Sequence, residues 1–112
     1  METKGKSQSL KEEILLNNRT LLPISGGRGK SIEDAIIIHA EKEGEYCIYY
    51  ENYLFEYFHS GLVSSWEKVS QRLILRNGKS YDFIKIAIFD DFIEELICHE
   101  EYYFDITEFL TD

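Results

Sequence analysis

Residues 67–89 read EKVSQRLILR, then NG, then KSYDFIKIAIF. Two runs rich in β-branched and aromatic residues flank Asn77-Gly78, a dipeptide that suits the two-residue type I′ turn because both of its central positions need a positive φ. Such a loop pairs Arg76 with Lys79 and fixes the register of the strands beyond it. One face of the hairpin then carries Val69, Leu73, Leu75, Ile84, Ile86 and Ile88, and is the expected core side. The other carries Lys68, Arg72, Ile74, Tyr81, Phe83 and Lys85, and is expected to be half wet. Arg72 falls directly opposite Phe83, which predicts a cation–π contact across the strands.

An apolar sheet face needs a cover, and the segment upstream supplies one. In residues 45–60, Tyr46, Tyr49, Tyr50, Tyr53, Leu54, Tyr57 and Phe58 recur at helical spacing on one wide face. Glu51, Asn52, Glu56 and His59 are expected on the solvated face, and Ser60-Gly61 is the expected stop. A shorter helix is expected over 9–18. Ser9 and Glu12 form a capping box, Leu10, Ile14 and Leu15 give the apolar stripe, and Asn17-Asn18 marks the end. Pro23 biases residues 21–24 towards an extended form. Three successive isoleucines make 35–39 a strand, and residues 102–106 read as the last one. Residues 91–97 fit either a helix capped at Asp91 and carrying Phe92, Ile93, Leu96 and Ile97, or a loop or irregular strand. The fold class is therefore α+β: a small antiparallel or mixed sheet, one main helix at about 45–60 packed on one face, and a short N-terminal helix. At 112 residues, one domain over 9–112 preceded by a flexible tail at 1–8 is expected.

The formal net charge is −9, and it is unevenly placed. Residues 1–31 have a balance of +3, whereas residues 86–112 hold nine acidic residues and no Lys or Arg. An acidic end repels nucleic acid and anionic membrane and favours a basic partner. Two cysteines, Cys47 and Cys98, are too few for a disulfide framework. No apolar run approaches a membrane span, and the polar, basic N-terminus does not resemble a signal peptide. The expected compartment is cytoplasmic.

Gly26-Gly27-Arg28-Gly29-Lys30-Ser31 ends in the Gly-Lys-Ser of a phosphate-binding loop, and Ile86-Ala87-Ile88-Phe89-Asp90 resembles the strand that supplies its magnesium-binding Asp. Three features oppose that chemistry. Ile24 stands where the motif's first glycine belongs, a position that needs glycine's conformational freedom. The segment after Ser31 soon turns β-branched, where a helix N-terminus should face the phosphates. The chain is also short for a nucleotide-hydrolysing fold of this kind. The loop is expected to be a turn leading into a strand, with Gly27 or Gly29 at positive φ. His39, His59, His99, Cys47 and Cys98 show no Cys-x-x-Cys or His-x-x-x-His spacing, so no metal site and no cofactor are expected. No serine sits in a strained glycine elbow, and paired acids such as Glu94-Glu95 are usually solvated charge. Lys68, Arg72 and Lys85 interleave with Tyr81 and Phe83, but the strong negative charge opposes nucleic-acid binding. No stretch resembles a known family.

The distinctive feature is five tyrosines within residues 46–57. A core-facing helix usually prefers aliphatic residues, because a buried hydroxyl must find a partner. Tyr46, Tyr49, Tyr50, Tyr53 and Tyr57 are the expected partner-binding residues, either for another protein or for a homodimer seam. The expected function is a non-catalytic protein-binding module, in its sharpest form a small acidic inhibitor or immunity-type protein that masks a basic partner. The alternative is a small enzyme or ligand-binding domain with its site at Gly26, Gly27, Gly29, Lys30 and Ser31.

Overall fold

The computed structural model describes residues 8–59 and 64–110. The N-terminal tail at 1–7 and the Ser60-Gly61 stop lie outside them. Helix α1 spans Leu10–Asn18, strand β1 Ile24–Gly26, β2 Ile36–Ile38, helix α2 Cys47–Phe58, β3 Ser64–Arg76, β4 Lys79–Asp90, β5 Leu96–Asp105, and a final turn of helix, α3, Thr107–Leu110. The strands form one mixed sheet in the order β1-β2-β5-β4-β3. All neighbours are antiparallel except β2 and β5, where Ile36 lies beside Phe104 in a parallel pair.

The capping box on α1 forms as the sequence predicts. The Ser9 hydroxyl accepts from the Glu12 amide, and the Glu12 carboxylate accepts from the Ser9 amide. Arg19 ends the helix in the left-handed conformation. The β3–β4 hairpin turns at Asn77-Gly78, both at positive φ. Arg76 pairs with Lys79 and Arg72 with Phe83, and the Arg72 guanidinium lies 5.4 Å from the Phe83 ring centre.

A bulge between Lys68 and Ser70 corrects the two hairpin faces. Val69 is the extra residue, so the ladder resumes with Lys68, not Val69, opposite Ile86. Val69 is 52% exposed instead of buried. Lys68 moves to the covered face, and so does Trp66, which pairs with Ile88. Leu73 and Leu75 share this face but stay exposed on the edge strand, while Tyr81 on the opposite face is buried.

Helix α2 also sits differently from its tyrosine pattern. Its buried residues are Glu51, Leu54 and Phe55, and Tyr46 is the N-cap rather than part of the helix. Phe55 is the hub of the core. Its ring lies 5.1 Å from Trp66, 5.4 Å from Tyr102 and 5.6 Å from Phe104. Residues 91–97 form no helix. The Asp90 carboxylate accepts from the Phe92 and Ile93 amides, and Glu94 takes a positive φ. The chain then returns as β5 from Leu96, six residues before the expected strand. Its pairing with β4 supplies the strand character that residues 96–101 lack alone.

Candidate functional site

Helix α2 stands beside α1 and the loop 40–46, and the tyrosines sort themselves along that seam. Tyr57 belongs to the helix–helix contact. Its hydroxyl accepts from Asn17 and donates to Glu13, which also pairs with Arg28 at 2.6 Å. These two partners, the tyrosine first, hold the Glu13 carboxyl below its ordinary value. The Tyr53 hydroxyl accepts from Asn18 at 3.1 Å. Tyr50 donates to Glu45, whose other oxygen accepts the amides of Glu41 and Lys42. That bond pushes the Tyr50 phenol up to about 12 and holds Glu45 low. Glu45 therefore stays ionised and folds its loop back against the helix.

Tyr46 and Tyr49 have no such role, being 71% and 76% exposed. Together with Tyr50 and Tyr53 they line an open groove of about 580 Å³, whose lining also includes Leu22, Lys42, Glu43 and Glu45. Four of the five sequence-predicted tyrosines thus share one concave surface, and Tyr57 does not line it.

The glycine loop is closed by its own chain. The Gly27 amide donates to the Ala35 carbonyl, that of Arg28 to the Asp34 carboxylate, and that of Gly29 to the Asp34 carbonyl. A phosphate-binding loop needs such amides free for its ligand. Gly26 and Gly29 take positive φ and Gly27 does not. The Gly29 carbonyl accepts from the Tyr103 amide, which docks the loop on β5. Lys30 lies over the Tyr102 ring at 4.2 Å, and the Ser31 hydroxyl accepts from the Asp34 amide. A cleft of about 250 Å³ beside the loop is lined by Arg28, Lys30, Phe58, His59, Glu100 and Tyr102.

Two further constellations escape sequence reasoning because the fold alone brings them together. Ser25 Oγ lies 2.7 Å from His39 Nε2, and His39 Nδ1 lies 2.6 Å from Glu108 Oε2. The order matches a serine–histidine–acid relay. Glu108 also accepts from the Ala40 amide, so the chain of bonds ties β1, the end of β2 and α3 together. This is a structural use that needs no chemistry. The second constellation is largely buried. Cys47 and Glu51 stand one turn apart on α2 and meet Asp82 of β4, with one ligand atom from each lying within 4.8 Å of the others. Glu51 is fully buried, and its oxygens meet no donor from the rest of the chain; their polar neighbour is the Asp82 carboxyl. Two carboxylates cannot donate to each other, so a proton or a cation must stand between Glu51 and Asp82. Burial first, and then the Asp82 carboxyl, push Glu51 up to about 9, against the pull of Lys68. Burial and the same two acids push the Cys47 thiol up to about 12. The signal available in the sequence was the four-residue spacing of Cys47 and Glu51; Asp82 comes from the next but one element.

Among the described residues no helix is long and apolar enough to cross a membrane. Comparison of the chain with protein-family models, with curated proteins and with solved structures gave no match.

Proposed function

We propose that this chain is a non-catalytic protein-binding module that uses the tyrosine groove to hold a basic partner. The observation that carries the proposal is the arrangement of Tyr46, Tyr49, Tyr50 and Tyr53 around one open groove whose lining also holds an ionised Glu45. Exposed tyrosines offer large contact area at low entropic cost, and such rings anchor protein interfaces. Hydrogen bonds to Tyr50, Tyr53 and the 41–45 loop fix the walls in advance, which lowers the cost of ordering on binding. The net charge of −9 selects for basic surfaces. In its sharpest form the module is a small inhibitor or immunity-type protein whose acidic surface masks a basic partner.

The test is site-specific capture. A photoreactive phenylalanine analogue at position 49 is expected to crosslink one basic protein in extracts of the native host, and the same analogue at position 83, on the opposite sheet face, is not. The purified partner should then bind Tyr49→Ala at least about fivefold more weakly, the equivalent of ~1 kcal/mol. Equal binding by the variant would remove the groove from the interface, and self-crosslinking alone would make it a dimer seam.

A second reading, a small-ligand site beside the glycine loop, has one observation in its favour: Arg28, Lys30 and His59 converge on a cleft there. It predicts saturable binding of phosphate or of ATP with magnesium, measured by calorimetry. Absence of binding at millimolar ligand would exclude it.

A further inference from the structure

The trio of a half-buried Cys47 with the buried acids Glu51 and Asp82 is a poor arrangement for a stable core. A fully buried carboxyl with no donor costs stability, and a second acid beside it raises the cost. A hydrophobic residue would fill the position of Glu51 without that penalty. The geometry points to a metal site: Cys47 Sγ and the carboxylates of Glu51 and Asp82 form a three-residue cradle for a zinc-class divalent cation.

The donor set argues for the metal. One thiolate with two carboxylates suits zinc, whereas magnesium and calcium take oxygen ligands and do not recruit sulfur. Cys47 and Glu51 lie one helical turn apart and so face the same way, towards Asp82 on the strand beneath. Cys47 Sγ is 3.9 Å from Asp82 Oδ2, close to the separation of about 3.5 Å that bonds of ~2.3 Å to sulfur and ~2.0 Å to oxygen impose in a tetrahedron. Asp82 is already oriented by a second residue, since the Gln71 amide donates to its Oδ2 at 3.1 Å. Lys68 donates in turn to Gln71 at 3.0 Å. Ligating carboxylates commonly have such outer partners. The charges also close: three anionic ligands are neutralised by a divalent cation together with the Lys68 ammonium. Cys47 is only partly buried, at the first turn of α2, and offers the way in. A water completes the four ligands.

The test uses the full chain, reduced and stripped with a chelator. Zinc is titrated by competition with a chromophoric chelator, and cobalt(II) serves as the spectroscopic probe. One equivalent of zinc is expected to bind. Cobalt should give the strong visible bands of tetrahedral coordination with a thiolate charge-transfer band. Cys47→Ser should remove that band, and Asp82→Asn and Glu51→Gln should each weaken binding by tenfold or more. Glu51→Gln also relieves the buried acid, so its metal-free melting temperature should rise while its zinc affinity falls, a pair of changes that misfolding does not produce. A Cys98→Ser control should bind as the parent does. No zinc binding, or binding that Cys47→Ser and Glu51→Gln leave intact, would overturn the site and leave a shared proton between Glu51 and Asp82.

Discussion

At the scale of single residues, two positions carry most of the testable physics. Gly29 takes a φ of +88°. A Cβ there would meet Ile36, Tyr102 and the Tyr103 carbonyl at 3.2–3.3 Å. Gly29→Ala should therefore lose about 1 kcal/mol or more in urea melts, through strain in the left-handed region and crowding against β5. An unchanged midpoint would mean that the loop is not docked as described. Glu51 makes the second prediction. Its folded carboxyl is pushed up to about 9, whereas an unfolded Glu titrates near ~4.3. Between those values the folded chain keeps a proton that the unfolded chain has released, so this group's contribution is complete at acid pH and is lost as pH rises towards the folded value. The limiting slope is about 1.4 kcal/mol per pH unit. Glutamine has no proton to lose. In metal-free protein the stability gained by Glu51→Gln should grow steadily from about pH 5 to about pH 8. A gain that is flat with pH would show that Glu51 is ionised in the fold. The acids held low by neighbours, Glu13, Glu45 and Glu108, act in the opposite sense but cancel in this comparison.

At the scale of elements, the core depends on Phe55, where α2 meets Trp66 of β3 and Tyr102 and Phe104 of β5. Phe55→Ala should cost ~3–5 kcal/mol, and it should expose Trp66 and red-shift its fluorescence. A loss below ~1 kcal/mol would place the hub elsewhere. How far the elements were legible follows from where their causes lie. Asn77-Gly78 and the Ser9–Glu12 box announce themselves because turn and cap chemistry is local. The bulge at Val69 gives no such signal, since valine suits a regular strand equally well. Yet that one residue decides that Trp66 and Lys68 face the helix. The rotation of α2 was hidden by its composition. Tyrosines surround too much of the helix to mark one side, so Glu51 looks like a solvated residue until Asp82 is found beside it. Strand β5 begins at Leu96 because β4 offers a partner, which no property of residues 96–101 reveals. Of the candidate site, the tyrosines of the groove could be named from the sequence. Leu22 and the 42–45 segment could not: Leu22 is remote in sequence, and the segment is folded back on α2 by the bonds of Glu45 to Tyr50 and to the Glu41 and Lys42 amides.

At the scale of the molecule, charge and shape divide the labour of binding. In the proposed role, the acidic balance would act at a distance and set how fast a basic partner arrives, whereas the rings of Tyr46 and Tyr49 would act only in contact and set how long it stays. The two effects are separable in one measurement, the association kinetics of the captured partner with the parent protein and with the Tyr46→Ala/Tyr49→Ala variant across a salt series. Raising the salt from about 0.1 M to about 1 M shrinks the Debye length from ~10 Å to ~3 Å, so the on-rate of both proteins should fall in parallel. The off-rate of the variant should exceed that of the parent at every salt concentration, by about 30-fold if the pair contributes ~2 kcal/mol, with its melting temperature unchanged. An on-rate indifferent to salt, together with an off-rate indifferent to the two tyrosines, would contradict the assignment of this groove as the binding surface for a basic protein.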